Sequence, residues 1–334
     1  MKLLIAGGAG YLGCTLIPKL LERGYAVDVV DLFWFGNNLP REARVLSKDI
    51  FSLQVSDLEG YDQVVFLAGL SNDPMAEYAP SKNFIFNAAA PAFLAYIAKK
   101  AGVRRYVYAS SCSVYGYTEN ELFDETQPAF SAYPYGMSKL QGEYAVMNLA
   151  DSEFSVISLR KGTASGYSPR MRLDLLINTM FKCAMESGEI TVNNPSIWRP
   201  VISVDDATSA YVRAIEAHER TSGVFNIAFG NYTVGEVADQ VKSEIEEQLG
   251  SRVKLNIRHN RDIRNYKVSC EKARTVLGFH PRHDPRSIVR ELITHADKFS
   301  DWDNPLYYNI RTFHMLEEKH EGPQVSALAT GAAD

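Results

Sequence analysis

The stretch GGAGYLG, residues 7–13, constrains the fold of this chain more than any other. It follows the apolar run KLLIA and precedes a pattern that predicts a helix over about 11–23. Between a strand and a helix, such glycines let the chain turn sharply, approach a pyrophosphate and pack the helix on the sheet. We therefore predict a dinucleotide-binding loop. Its candidate residues are Gly7, Gly10, Tyr11, Leu12 and Gly13.

The rest of the first half alternates apolar runs with helical patterns. The runs are continuously apolar, which is typical of strands buried on both faces of a parallel sheet. They lie at 2–6, 26–31, 63–68, 105–110, 154–159 and 223–228. Further helices are predicted at about 83–101, 135–150 and 173–187. This order indicates an α/β fold, a Rossmann-type doubly wound parallel sheet with a smaller C-terminal substrate-binding lobe.

The alternation ends after Leu159, where a stretch rich in Gly, Ser, Pro and Arg begins. We expect the aromatic segment 299–321 to pack over the smaller lobe, the alternative being a helix that binds a partner. The predicted division is a NAD-binding domain over 1–160 with returning segments near 199–230, a substrate-binding lobe over 161–198 and 231–321, and a disordered tail over 322–334.

Composition excludes several classes of protein. A net charge of -5 gives no bulk electrostatic basis for binding nucleic acid. The apolar N-terminal run is too short for a signal peptide or a membrane span, so we expect a cytoplasmic protein with no membrane partner. The four cysteines form no CxxC pair and every histidine lies from His218 onward, so no metal site is predicted.

Asp31 ends the second predicted strand, 18 residues after Gly13. An acidic residue at about this distance accepts hydrogen bonds from a ribose hydroxyl and repels a 2′-phosphate. The sequence therefore predicts NAD and not NADP as the cofactor.

Tyr135 and Lys139 follow Pro134, which suits the first turn of a helix. At a spacing of four residues both side chains lie on one face of that helix. A nearby ammonium and a nicotinamide cation would lower the pKa of a phenol enough for it to act as a base. Ser111 ends a predicted strand, where open α/β sheets bind ligands, and could share a substrate proton with Tyr135.

With its G-x-x-G-x-x-G spacing, its Tyr-x-x-x-Lys pair and their order along the chain, the sequence resembles an extended short-chain dehydrogenase/reductase acting on nucleotide sugars. It is similar to the UDP-galactose 4-epimerase group of the NAD-dependent epimerases and dehydratases. The resemblance implies that Ser111, Tyr135 and Lys139 are catalytic. It also implies a cofactor site that includes Asp49, Ile50, Ala68, Gly69 and Asn87.

The same resemblance implies a site for a nucleotide-diphosphate sugar. Arg199 and Arg264 would contact the diphosphate, with Arg172 and Asn178 as candidate contacts in the sugar cleft. Three residues depart from the pattern. Cys112-Ser113 replaces the acidic pair of the dehydratases, Thr163 replaces an asparagine that contacts the diphosphate, and Pro200 replaces the aspartate of the arginine motif.

We therefore predict an NAD-dependent nucleotide-sugar 4-epimerase. A 4-ketoreductase is the first alternative, and a dehydratase is disfavoured because elimination needs an acid and a base where Cys112 and Ser113 stand. A non-catalytic NAD-binding scaffold is the alternative of another class. By resemblance, the helix at 83–101 and the Tyr135 helix form the interface of a homodimer.

Overall fold

The sheet at the centre of the protein is parallel throughout. A computed structural model describes residues 1–259 and 264–318. The strands in chain order are β1 Lys2–Ala6, β2 Ala26–Asp31, β3 Arg44–Ser47, β4 Gln63–Phe66, β5 Arg105–Ser111, β6 Tyr117–Phe123, β7 Ser155–Lys161, β8 Thr163–Ser165, β9 Glu189–Asn193, β10 Trp198–Ser203, β11 Gly223–Ile227, β12 Gly230–Thr233, β13 Lys254–Arg258 and β14 Asn265–Val268. Seven of them form one sheet in the order β11-β7-β5-β4-β1-β2-β3.

Helices cover both faces of that sheet. All α-helices of the described chain, in order, are α1 Gly13–Glu22, α2 Asp73–Tyr78, α3 Pro80–Phe84, α4 Ala90–Lys100, α5 Pro134–Met147, α6 Leu176–Ser187, α7 Val204–Glu216, α8 Val234–Leu249, α9 Glu271–Leu277, α10 Pro285–Thr294 and α11 Asn309–Glu318. A π-helical turn, Ile85–Ala89, joins α3 to α4. Short 3₁₀ segments lie at Ile50–Ser52, Val55–Leu58, Cys112–Tyr115, Ala296–Phe299 and Pro305–Tyr307.

The chain reverses its direction of winding at β1, which pairs with β2 on one side and β4 on the other. Ligands of open α/β sheets bind at such a point, beyond the carboxyl ends of the strands. The predicted fold class is confirmed. One strand of the sheet was missed, because β3 is a mostly exposed edge strand that lacks an apolar run.

Strand side chains alternate between two cores, as the period of two requires. On β1, Leu3 and Ile5 pack with α1 and α7 on one face, whereas Leu4 and Ala6 pack with α4 on the other. Because these strands are buried on both faces, their sequences are continuous apolar runs.

Three smaller sheets adjoin the main one. They are β12-β10-β8, β13-β9 and β14-β6. A third apolar core forms where α6, α8 and α10 meet. Its residues come from the chain after position 170, so the second half of the molecule has a core of its own.

The C-terminal segment divides between two cores. Trp302, Tyr307 and Tyr308 pack against the third core, as predicted for the segment from 299 onward. Phe313 of α11 packs instead with Trp34 and Phe35, which follow β2. The expectation that the whole segment covers the smaller lobe is therefore wrong for α11. The predicted tail over 322–334 lies outside the described residues.

Within the described part of the chain, no helix combines the length and apolar character needed to cross a membrane.

Candidate active site

The glycine loop fits tightly between β1, β4 and α1. Gly7 has a φ of 77°, and a Cβ there would lie 2.4 Å from the backbone nitrogen of Ala68. A Cβ on Gly13 would lie 2.1 Å from the carbonyl oxygen of Gly8. No larger residue fits at either position without moving the backbone. The loop therefore brings the N-terminus of α1 to the carboxyl edge of the sheet, where an anion is stabilised.

A cavity of about 110 Å³ opens beside this loop, between the ends of β2 and β3. Asp31, Asp49 and Ile50 line it, as do Ala68 and Gly69. Asp31 accepts hydrogen bonds from the backbone of Ala9 at 2.9 Å and of Phe33 at 2.8 Å. Burial raises the pKa of Asp31, and these backbone bonds oppose the rise. They also fix the carboxylate in one orientation.

A larger cavity, about 480 Å³, continues from the glycine loop to the ends of β5 and β7. Gly7, Gly10, Tyr11 and Leu12 line one end of it. Ser111, Tyr135 and Lys139 line the same cavity. The structure thus brings the predicted reactive side chains into one space with the predicted cofactor loop.

Tyr135 and Lys139 lie on the buried face of α5. Burial raises the pKa of Tyr135 above its ordinary value, whereas hydrogen bonding with Ser111 and the charge of Arg172 lower it. Lys139 donates to the carbonyl of Ala109 at 3.0 Å. Its pKa is lowered to about 7 by burial and then by the positive charge of Lys161. Burial therefore opposes ionisation of this phenol, whereas the hydrogen bond with Ser111 and nearby positive charge favour it.

Asn87 lies beneath this region in the π-helical turn and is fully buried. Its amide donates to Leu70 and Asn83 at 2.7 Å each. Its Oδ1 has no hydrogen-bond partner among the described residues. A Cβ on Gly69 would lie 2.3 Å from that oxygen and 3.5 Å from Lys139 Nζ. Asn87 therefore borders the site from below and does not line its wall.

The predicted diphosphate arginines converge on the far wall of the larger cavity. Arg199 donates to the carbonyl of Arg264 and lies over the ring of Tyr266 at 5.4 Å. Arg264 is paired with Asp73. Thr163 lines the same cavity, as does Arg172, which forms a two-point ion pair with Asp174 at 2.9 Å. These side chains are held in place before any ligand arrives.

Asn178 is the predicted contact that the structure does not bring to the cavity. It is fully buried, accepts from the backbone of Gly166 at 2.8 Å, and donates to the carbonyl of Arg172 at 2.8 Å. It also donates to Tyr11 at 3.4 Å. Asn178 fixes the loop that carries Arg172, and its assignment as a sugar contact is corrected to this positioning role.

Many residues that line the larger cavity were not predicted from the sequence. Asp73 and Asp174 supply the two carboxylates that pair with the arginines. Asn309, at the start of α11, accepts from Arg170 at 2.6 Å. Among these unpredicted lining residues are Phe35, Asp73, Lys161, Asp174 and Asn309. They lie far apart along the chain, and no local pattern marks them.

Comparison with known proteins agrees with this geometry. A sequence profile of the NAD dependent epimerase/dehydratase family matches residues 3–228, more than half of the chain. The chain belongs to this family. The recognition from sequence, the enzyme class and NAD as the cofactor are therefore confirmed.

Individual members of the epimerase/dehydratase family are similar over most of the chain. A UDP-glucose 4-epimerase of Corynebacterium glutamicum is 27% identical over 314 residues, covering 87% of this chain and 94% of the relative. A UDP-glucose 4-epimerase of Bacillus subtilis is 26% identical, covering 84% and 93%. Among solved structures, MoeE5 in complex with UDP-glucuronic acid and NAD is 27% identical with a TM-score of 0.79, covering 89% of this chain and 99% of that one.

The residues present fit the NAD of the epimerase/dehydratase family. Gly7 and Gly13 leave room for a close approach to the backbone at the N-terminus of α1. Asp31 stands at the end of β2 with its carboxylate fixed beside an apolar cavity. That cavity and the larger one share Gly7, Gly10 and Phe35, so one extended ligand could occupy both.

Proposed function

We propose that this protein is an NAD-dependent nucleotide-sugar 4-epimerase. The observation that carries the proposal is the shared cavity of Ser111, Tyr135 and Lys139 with the glycine loop. A sugar whose C4 hydroxyl lies against Tyr135 would have its ring beside the cofactor. NAD bound beside the glycine loop would supply the acceptor for the C4 hydride and the donor for its return to the opposite face of the sugar.

The chain itself supplies the proton transfer. Tyr135 takes the proton of the C4 hydroxyl, and Ser111 orients that hydroxyl by hydrogen bonding. Lys139 places an ammonium on the same helix face as the phenol, which favours the phenolate over the phenol. As C4 returns to an alcohol, Tyr135 gives the proton back. The cycle therefore needs no external reductant.

Dehydration is disfavoured by the groups next to Ser111. Elimination of water needs a nearby acid and base. The Cys112 thiol donates to the carbonyl of Arg160 at 3.1 Å, and burial raises its pKa well above the ordinary value. Ser113 has no carboxyl, and both carboxylates of the described cavity wall are paired with arginine. Within the described residues, the cavity wall therefore offers no unpaired carboxyl for the elimination.

The cofactor end of the site, around Asp31, disfavours a ketoreductase that uses NADPH. The 2′-phosphate of NADPH would meet the fixed carboxylate of Asp31. Asp31 favours a free ribose hydroxyl, which is the form that NAD presents. Ketoreduction remains the second candidate because it shares the Tyr135 chemistry.

Arg199 and Arg264 are proposed to bind the diphosphate of the substrate. Guanidinium groups suit this task because they bind phosphate oxygens at two points. Arg264→Gln should raise KM for a nucleotide sugar about 10- to 100-fold, since a charged hydrogen bond is lost. Arg274→Gln, at an exposed ion pair of α9, is the control. An unchanged KM in Arg264→Gln would contradict the assignment.

The protein is also proposed to be a homodimer. Tyr96 of α4 and Tyr144 of α5 are exposed on two helices that pack side by side. Exposed aromatic side chains of this kind are typical of interfaces. Sedimentation should show a dimer, and a monomer at all concentrations would contradict this. The cytoplasmic location stays a prediction.

Product analysis tests the proposed reaction. The purified protein, given UDP-glucose or UDP-glucuronic acid with no added reductant, should produce the C4 epimer, detected by proton NMR. A product that has lost water would favour a dehydratase. Turnover only of a 4-keto sugar with added NADPH would favour the ketoreductase.

A further inference from the structure

Lys161 is a cation of the larger cavity that the proposed reaction does not use. It ends β7, and its backbone is paired in register with Ser111 at the end of β5. Neighbouring strands lie about 4.8 Å apart, and paired residues of a parallel sheet point to the same face. The flexible four-carbon stem of lysine can therefore carry the ammonium to the space in front of Ser111.

The cavity wall carries more positive than negative charge. Six cationic side chains and two carboxylates line it within the described residues. The carboxylates pair with Arg172 and Arg264. Lys139 donates to the carbonyl of Ala109. Lys161 makes no hydrogen bond or ion pair through its side chain in residues 1–259 and 264–318.

Lys161 lies at the catalytic end of the larger cavity, because its backbone is paired in register with Ser111. After burial, which lowers the pKa of Lys161, its neighbours Cys112 and Arg172 raise and lower that pKa respectively. The positive charge of Lys161 in turn lowers the pKa of Lys139. Arg199 and Arg264 are instead joined to each other through a backbone carbonyl. The ammonium of Lys161 therefore faces the sugar ring more than the nucleotide.

A substrate that covers Lys161 removes water from an ammonium that has no protein counter-ion. Such a charge costs several kcal/mol unless the ligand pairs with it. A hydroxyl gives only a neutral acceptor, whereas a carboxylate gives a charge-assisted hydrogen bond and cancels the charge. The C6 carboxylate of a hexuronate is attached to C5, the ring carbon next to the reacting C4.

From this placement we propose that Lys161 recognises a carboxylate on the hexose, so that the preferred substrates are nucleotide-diphosphate hexuronates. The inference rests on the proposed function for the position of the sugar. It makes Lys161 a specificity-determining residue, distinct from the Tyr135 and Lys139 pair. Preference for the acidic sugar then comes from one side chain on β7.

The test compares UDP-glucuronic acid, UDP-glucose and UDP as ligands of the NAD-bound protein. Wild type should bind UDP-glucuronic acid about 10- to 100-fold more tightly than UDP-glucose, the range of one charged hydrogen bond. Lys161→Met and Lys161→Gln should remove that preference and leave the affinity for UDP unchanged. Lys161→Arg should retain most of it. Lys254→Met, at an exposed position of β13, should behave as wild type.

Retained NAD and a melting temperature no lower than that of wild type show that the variants fold. Equal affinity of wild type for the two sugars would overturn the proposal. So would weaker binding of UDP itself by Lys161→Met, because Lys161 would then contact the phosphates. If UDP-glucuronic acid binds selectively through Lys161 yet its C4 configuration is never inverted, the inference stands and the proposed epimerase activity fails.

Discussion

The proposed cofactor half and the proposed sugar half of the site are built in different ways. Backbone fit defines the cofactor half, where Gly7 and Gly13 allow contacts that any Cβ would prevent. Side-chain ion pairs define the sugar half, where Arg172 and Arg264 are held by Asp174 and Asp73. A site defined by close backbone contacts accepts few substitutions and keeps the same ligand. A site defined by paired side chains can change its ligand specificity when a single side chain is substituted. We therefore expect substitutions in the cofactor half to reduce stability and NAD binding, and substitutions in the sugar half to change the KM for the nucleotide sugar.

Tyr135→Phe, where the two halves meet, should have the largest effect. Loss of the hydroxyl removes the proton acceptor, so turnover should fall by about 10²- to 10⁴-fold. The protein should still bind NAD, since the ring remains in place. Tyr144→Phe, exposed on the same helix, is the matched control and should retain full activity. A Tyr135→Phe enzyme with near wild-type turnover would remove the tyrosine from the mechanism.

Gly7→Ala tests the backbone fit of the cofactor half. The added Cβ meets the backbone of Ala68 at a positive φ, which should cost on the order of 3 kcal/mol of stability and weaken NAD binding. Gly24→Ala is the control, because Gly24 has the same φ of 77° with nothing within 4 Å. It should cost only about 1 kcal/mol and leave NAD binding intact. If urea denaturation showed the same loss of unfolding free energy in both variants, the close contact between position 7 and Ala68 would be unimportant for stability.

Asn178→Ala distinguishes a sugar contact from a positioning residue. Its buried hydrogen bonds to Gly166 and Arg172 would be lost, so the free energy of unfolding should fall by about 2 kcal/mol or more. The KM of the folded variant should change much less than that of Arg264→Gln. A raised KM without loss of stability would restore the original assignment as a sugar contact.

Lys161→Met should change how stability depends on pH, with little effect on turnover of a neutral sugar. Burial lowers the pKa of Lys161 from 10.5 to about 8. Between these values the unfolded chain binds more protons, so this lysine makes stability rise with pH across that window. The variant lacks this contribution. It should therefore exceed wild type in stability most clearly below about pH 8, and the difference should shrink towards pH 10.5. A constant difference across denaturation curves at several pH values would mean that Lys161 titrates normally.

Sequence reasoning worked best where function depends on neighbours in the chain. The glycine loop, Asp31 and the Tyr135 helix each combine a local structure with its reactive residues, and all of them border the cavities. The strands were predicted because burial on both faces leaves a continuous apolar run. The exposed edge strand β3 has no such signal.

Residues whose role depends on distant partners could not be predicted. Asp73 becomes part of the sugar wall only because Arg264 folds onto it from 191 positions away. Asn309 reaches the cavity because Phe313 anchors α11 against Trp34. Asn178 had a suitable chemistry and a suitable place in the sequence, yet its side chain turns into the protein and fixes a loop. Only the packing of the folded chain separates these cases.

The fate of the hydrogen on C4 tests the central claim most directly. A nucleotide sugar deuterated at C4, given to the purified protein without added reductant, should yield a product with inverted C4 that retains the deuterium at C4. Because Tyr135 exchanges only the hydroxyl proton, solvent hydrogen should not appear on that carbon. Deuterium found at C6, or lost to solvent, would contradict the account.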